Sequence, residues 1–244
     1  MLRRVIVSGG GTGIGKATAT AFSRRGDAVL ILGRREQVLA AAAADINVAH
    51  SDAAVSWQAA DLADPDAVER LHLPETVDVL VNNAGGASRR DDESLQGIAA
   101  TLHADIDQNV LTAQLLTAAV SPRLRRPGGR VINISSIAAL RGGGASYSAA
   151  KASIIAWSHA LAADFGPAGI TVNVVAPGFV RDTEFFGDAM TDERRRRLIE
   201  ATLLDRAGVP EDVAAAIVYL ASLEAGYVTG QVLQVNGGAL LGRG

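Results

Sequence analysis

Short apolar runs rich in valine and isoleucine recur along the chain, separated by longer alanine-rich stretches whose apolar positions return every three or four residues. The runs RVIVSGG, AVLILGR, VSWQAADL, VDVLVNNAG, GRVINIS, ITVNVVAPG and VLQVNGG predict seven strands. Each run is continuous rather than alternating, as in parallel strands covered on both faces. The clearest helical stretches are 14–25, 35–46, 97–125, 147–165 and 210–223. This βαβα rhythm predicts an α/β fold, a doubly wound Rossmann-like sheet of seven parallel strands, with ligands bound beyond the carboxyl ends of the strands. No repeat, linker or shift in composition divides the chain, so 1–244 reads as a single domain. Residues 179–205 are long for a strand-to-helix connection and read as a substrate lid.

Composition narrows the function. The 244 residues contain no cysteine, which excludes disulfides and thiolate metal sites and points to the cytoplasm. No apolar run approaches the ~20 residues of a membrane span. A net charge of −3 argues against nucleic acid, whose binding rests on a basic footprint. His50, His72, His103 and His159 are scattered without ligand spacing, so no metal site is expected. Of the 23 basic residues only Lys16 and Lys151 are lysine. A lysine that survives such a bias suits a role needing a compact, rotatable ammonium.

After the first strand, Gly9, Gly13 and Gly15 follow the spacing G-x-x-x-G-x-G ahead of a helix. Glycine lets the backbone approach a pyrophosphate closely, and the N–H groups of a helix start favour negative charge. The second strand ends in Gly33, Arg34 and Arg35, where an acid would otherwise bind the ribose 2′-hydroxyl of NAD. Two arginines there favour a 2′-phosphate, hence NADP(H) over NAD(H); the alternative is a solvated helix start. Asp61 after the third strand suits either an adenine contact or a helix cap. Lys16 suits either nearby phosphates or solvent.

These features fall into a larger set: GGGTGIG (9–15), NNAG (82–85), Asn109, NISS (133–136), YSAAK (147–151), APG (176–178) and the closing VTGQVLQVNGG. Together they resemble the short-chain dehydrogenases/reductases, in particular the compact 3-oxoacyl-carrier-protein reductases, over nearly the whole chain. The resemblance implies hydride transfer between a nicotinamide and a ketone or secondary alcohol, with Ser136, Tyr147, Lys151 and Asn109 as the catalytic set. Tyr147 would be the acid and Ser136, preferred over Ser135, the second donor to the carbonyl oxygen. Lys151, one helical turn from Tyr147, would favour its phenolate and bind the nicotinamide ribose. Asn109 would hold a water that feeds protons through ribose and lysine. The cofactor bed implied by the resemblance adds Thr12, Ile14, Leu62, Asn83, Ala84, Gly85, Pro177, Gly178, Val180 and Thr183.

The substrate would be a carbonyl or alcohol, with carrier-protein and coenzyme A thioesters included. Phe179, Phe185 and Phe186 predict an apolar wall in the lid, and Arg194 to Arg197 a solvated helix face or a docking patch for an acidic carrier. Tyr219 and Tyr227 read as packing residues. The family's habit implies a homotetramer or homodimer. Two rival functions remain at this level: an epimerase or dehydratase of the extended family, and a non-catalytic NADP(H)-sensing regulator. The loop between Ser136 and Tyr147 is about two residues shorter than the family pattern, which weakens assignment of the substrate by analogy.

Overall fold

A computed structural model describes residues 2–49, 54–89, 92–185 and 190–242. Seven parallel strands form one sheet: β1 (Arg4–Ser8), β2 (Ala28–Gly33), β3 (Val55–Ala59), β4 (Val79–Asn82), β5 (Arg130–Ile134), β6 (Thr171–Pro177) and β7 (Val232–Val235), in the order β3-β2-β1-β4-β5-β6-β7. The chain leaves the sheet edge after β3 and returns beside β1, so β1 and β4 flank the switch point where such sheets bind ligands.

Successive strand residues face opposite sides of a sheet. Val5 and Val7 therefore join one core with Phe22 and Ile217, while Ile6 joins the other with Leu80 and Leu116. The first layer is covered by α1 (Gly13–Ser23), α2 (Glu36–Ala49) and the late α9 (Pro210–Leu220). The second is covered by α3 (Pro65–Glu69), α5 (Thr112–Val120) and α7 (Ala145–Phe165). Among the described residues, no helix is long and apolar enough to cross a membrane.

Two predicted elements are corrected. The single helix expected over 97–125 is α4 (Leu95–Ile106), a π-turn at Asp107–Leu111, and α5. The stretch expected as a lid contains a helix, α8 (Asp192–Glu200), whose start is capped by Thr191 accepting from the Arg194 N–H at 3.1 Å. A further short helix, α6 (Ala138–Arg141), precedes α7.

A buried polar chain sets α7 against the sheet. Asn82 Nδ2 donates to Asn133 Oδ1 and to Thr117 Oγ1, both at 2.8 Å. Asn133 Nδ2 in turn donates to Ser158 Oγ of α7 at 2.8 Å. In an apolar interior such groups carry a penalty unless paired, so this pairing fixes β4, β5, α5 and α7 in one register.

Candidate active site

At the switch point the Ser8 hydroxyl accepts the N–H groups of Asn83 and Ala84, each at 3.0 Å, and Asn83 Nδ2 donates back to the Ser8 carbonyl at 3.0 Å. The glycine loop closes onto this turn. Gly9 has φ +65°, and a Cβ there would lie 2.8 Å from Asn83 Nδ2; one on Gly15 would strike the Gly9 carbonyl. Only glycine lets these backbones approach so closely.

A cavity of about 1630 Å³ runs from this floor along the carboxyl ends of the strands. Gly9, Thr12, Gly13 and Ile14 form its base, with Arg34, Arg35, Asp61 and Leu62 toward β2 and β3. Asn83, Ala84 and Gly85 line it at the end of β4, Ser136, Tyr147 and Lys151 lie toward β5, and Pro177, Gly178, Val180 and Thr183 complete the wall after β6. Two expected residues stand behind that wall: Gly15 packs under the loop, and Asn109 is buried behind Gly86. A cleft with a glycine-rich base at a helix start suits a dinucleotide.

Three of the charged candidates, Arg35, Lys16 and Asp61, are already engaged. Arg35 forms a two-pronged ion pair with Glu184, Nη2–Oε2 2.6 Å and Nη1–Oε1 3.2 Å, and Thr12 Oγ1 adds a 3.4 Å bond to the same carboxylate. The guanidinium holds the Glu184 carboxyl below its ordinary value. Lys16 turns away from the loop to pair with Asp45 of α2 at 2.7 Å. Asp64 is the cap of α3, accepting the Asp66 N–H at 3.0 Å, whereas Asp61 Oδ1 accepts the Ala63 N–H at 3.0 Å in the turn before that helix and faces the cleft.

At the other end the two serines separate cleanly. Ser135 Oγ donates to the Lys151 carbonyl at 2.7 Å and ties α7 to β5, whereas Ser136 accepts the Ala138 N–H at 3.1 Å and hydrogen-bonds the Tyr147 phenol. Lys151 is buried; its Nζ donates to the Ile134 carbonyl at 3.0 Å and stands 5.9 Å from the centre of the Tyr147 ring. Asn109 sits in the π-turn, donating to the carbonyls of Gly86 and Asp105 at 2.8 Å each. Widened turns of this kind recur at functional sites.

Burial pushes the Tyr147 phenol up to about 12, against an opposing bond from Ser136 and with a further rise from Asp105. Burial likewise lowers Lys151 to about 8, with Asp105 opposing. Desolvation disfavours both charged forms, and at 5.9 Å from the ring centre the ammonium does not offset it.

The family model described as enoyl-(acyl carrier protein) reductase matches residues 9–239. The 3-oxoacyl-(acyl-carrier-protein) reductase FabG of Chlamydia muridarum is 36% identical over 244 residues, covering 97% of this chain and 96% of the relative. The chain belongs to the short-chain dehydrogenase/reductase family. Short-chain reductase protein NovJ of Streptomyces niveus is 37% identical, with 96% and 92% covered. Among solved structures, levodione reductase superposes with TM-score 0.88 at 27% identity, covering 97% and 96%. A short-chain dehydrogenase from Burkholderia cenocepacia in complex with NADP gives 0.83 at 33%, covering 97% of each chain. This is an NAD(P)-dependent oxidoreductase.

Of the two phenylalanines described within 179–205, one lines the cavity. Phe185 lines the cavity and meets Tyr147, ring centres 5.2 Å apart at 57°. Phe179 is buried and does not line this cavity, and Phe186 lies outside the described residues. Arg194 and Leu198 of α8 line the cavity, so the arginine run is not wholly a solvated face. Tyr219 and Tyr227, expected to pack, are exposed on the protomer. Sequence reasoning missed Glu184 and Asp105. Asp105 carried a signal, since it stands one turn before Asn109 on the buried side of a long helix.

Proposed function

We propose that this oxidoreductase prefers NADP(H) and interconverts a ketone, 3-oxoacyl thioesters included, with a secondary alcohol. The convergence of Ser136, Tyr147, Lys151 and Asn109 at one end of a cleft whose other end carries Arg34 and Arg35 supports this reading. The bound nicotinamide would supply or take the hydride. Tyr147 holds the proton that reaches the carbonyl oxygen, and Ser136, bonded to the phenol, is the second donor to the same atom. Lys151 carries an ammonium beside the tyrosine, and Asn109 orders the Gly86 turn beneath the site. Asn83 and Gly85 shape the bed, with Pro177, Gly178 and Thr183 opposite.

A thioester substrate is favoured by Arg141 and Arg194, which put two guanidiniums on the cavity wall where an acidic carrier or a phosphate would approach. Names among the relatives point the same way. We place the enzyme in the cytoplasm as a homotetramer or homodimer. The deciding experiment is a screen of ketones, alcohols and a 3-oxoacyl thioester with NADPH, NADH and their oxidised forms. Turnover is expected with NADPH and lost in Tyr147→Phe; an equally active variant would overturn the assignment.

A further inference from the structure

Five charged side chains are buried among the described residues: Asp27, Asp78, Asp105, Arg130 and Lys151. Three are satisfied directly. Asp27 is gripped by Arg3 at 2.8 and 3.0 Å, Asp78 pairs with Arg125, and Arg130 donates to the carbonyls of Gly128 and Gly129 at 2.9 and 3.0 Å. Arg130 has no ion pair either, but it opens β5 at the end away from the site; the two that remain, neither with a direct ion pair, are Asp105, 0% exposed, and Lys151, 4% exposed. Both belong to the catalytic end of the cleft. Isolated buried charges are costly, and they persist when another charge compensates them through the poorly screened interior.

The geometry aligns the two. Asp105 Oδ1 is held by the Ser88 N–H at 2.7 Å and by Gln108 Nε2 at 3.1 Å, while Oδ2 is buried with no hydrogen-bond partner. One turn on, Asn109 Nδ2 donates to the Asp105 carbonyl at 2.8 Å. Asn109 Oδ1 and Lys151 Nζ then crowd the same point, the place a Cβ on Gly85 would occupy, with Nζ 3.1 Å from it. The series Asp105, Asn109, Lys151 thus leads from α4 into the site. Other titratable or charged groups on elements packed against Lys151 are His103 of α4, Asp107 of the π-turn and Arg141 of α6, all exposed, the buried cation Arg130 of β5, and Tyr147, His159 and Asp164 of its own helix. None of these is a buried counter-charge.

We propose that Asp105 is a positioning residue of the site, a buried carboxylate whose fixed negative charge keeps the Lys151 side chain an ammonium at neutral pH. Its importance for turnover rests on the reaction proposed above; the charge relationship does not. The Asp105 charge opposes the fall of Lys151 toward about 8 that burial causes. The same charge disfavours the Tyr147 phenolate, so it secures the cation at some expense to the acid.

With two lysines in the chain, protein carrying ¹³Cε-lysine gives two titrating resonances, and the exposed Lys16 serves as reference. In ligand-free wild type, Lys151 should titrate near 8. In Asp105→Asn, which retains an oxygen for the Ser88 N–H, the Lys151 midpoint should fall by about one pH unit or more while Lys16 stays in place. Asp105→Glu should return it toward the wild-type value. An unmoved or raised Lys151 midpoint in Asp105→Asn overturns the proposal. So does a wild-type Lys151 already neutral at pH 7, a result that needs no variant. Absence of ketone reduction would refute the reaction and leave this charge relationship standing.

Discussion

Arg35, at the end of the second strand, and Glu184, after the sixth, meet across the mouth of the cofactor cleft in a two-pronged ion pair. The carboxylate occupies the guanidinium fork that a 2′-phosphate would need, so the two anions compete. An exposed pair of this kind contributes only about 0.2–1 kcal/mol. Glu184→Gln should therefore tighten NADP⁺ binding by about two- to fivefold with little change for NAD⁺, read by calorimetry. Arg35→Asp should reverse the preference. Equal responses to both cofactors would remove Arg35 from the 2′-phosphate site.

The Ser136–Tyr147 hydrogen bond predicts a division between chemistry and binding. Tyr147→Phe should lower kcat by about a hundred- to ten-thousand-fold, the usual worth of a positioned acid. Affinity for NADP⁺ should change far less, because the phenol is one contact among many along the cleft.

Burial of Lys151 predicts a pH-dependent stability of definite sign. Its folded value of about 8 lies below the ordinary 10.5, so between those values the unfolded chain binds more protons and stability rises with pH. Relative to Lys151→Met, the wild type should gain on the order of 3 kcal/mol from pH 8 to 10.5 in denaturant titrations. Tyr147, raised from 10 to about 12, acts in the opposite sense above pH 10, because the folded state then holds the extra proton.

Gly85 leaves room beside both Lys151 and Asn109 that a side chain would fill. Gly85→Ala would press a methyl group onto Asn109 Oδ1 and to within 3.1 Å of Lys151 Nζ. Overpacking of this kind costs about 1–3 kcal/mol. Lower stability with a disproportionate loss of kcat is expected; unchanged kinetics would show that neither side chain needs its present position.

The sheet was legible because continuous apolar runs and glycine-bounded turns report strand and crossover directly: all seven strands fall on the predicted runs. The cleft was legible because its residues follow strand ends. What pattern alone could not supply were relationships across the chain. The π-turn around Asn109 keeps helical periodicity and so looks like uninterrupted helix. The Arg35–Glu184 pair joins residues 149 positions apart. The Tyr147 phenol rises because burial outweighs the bond from Ser136, a balance that depends on solvent exclusion rather than on a Y-x-x-x-K spacing.

The chain of hydrogen bonds through Asn82, Asn133 and Ser158 gives the catalytic helix a long lever. Ser158 lies two turns beyond Lys151, so a change in the middle of the sheet would be felt as a rotation of the tyrosine and lysine together. Substitutions at these three positions should appear in selection experiments as losses of turnover in proteins that still fold, far from anything the substrate touches.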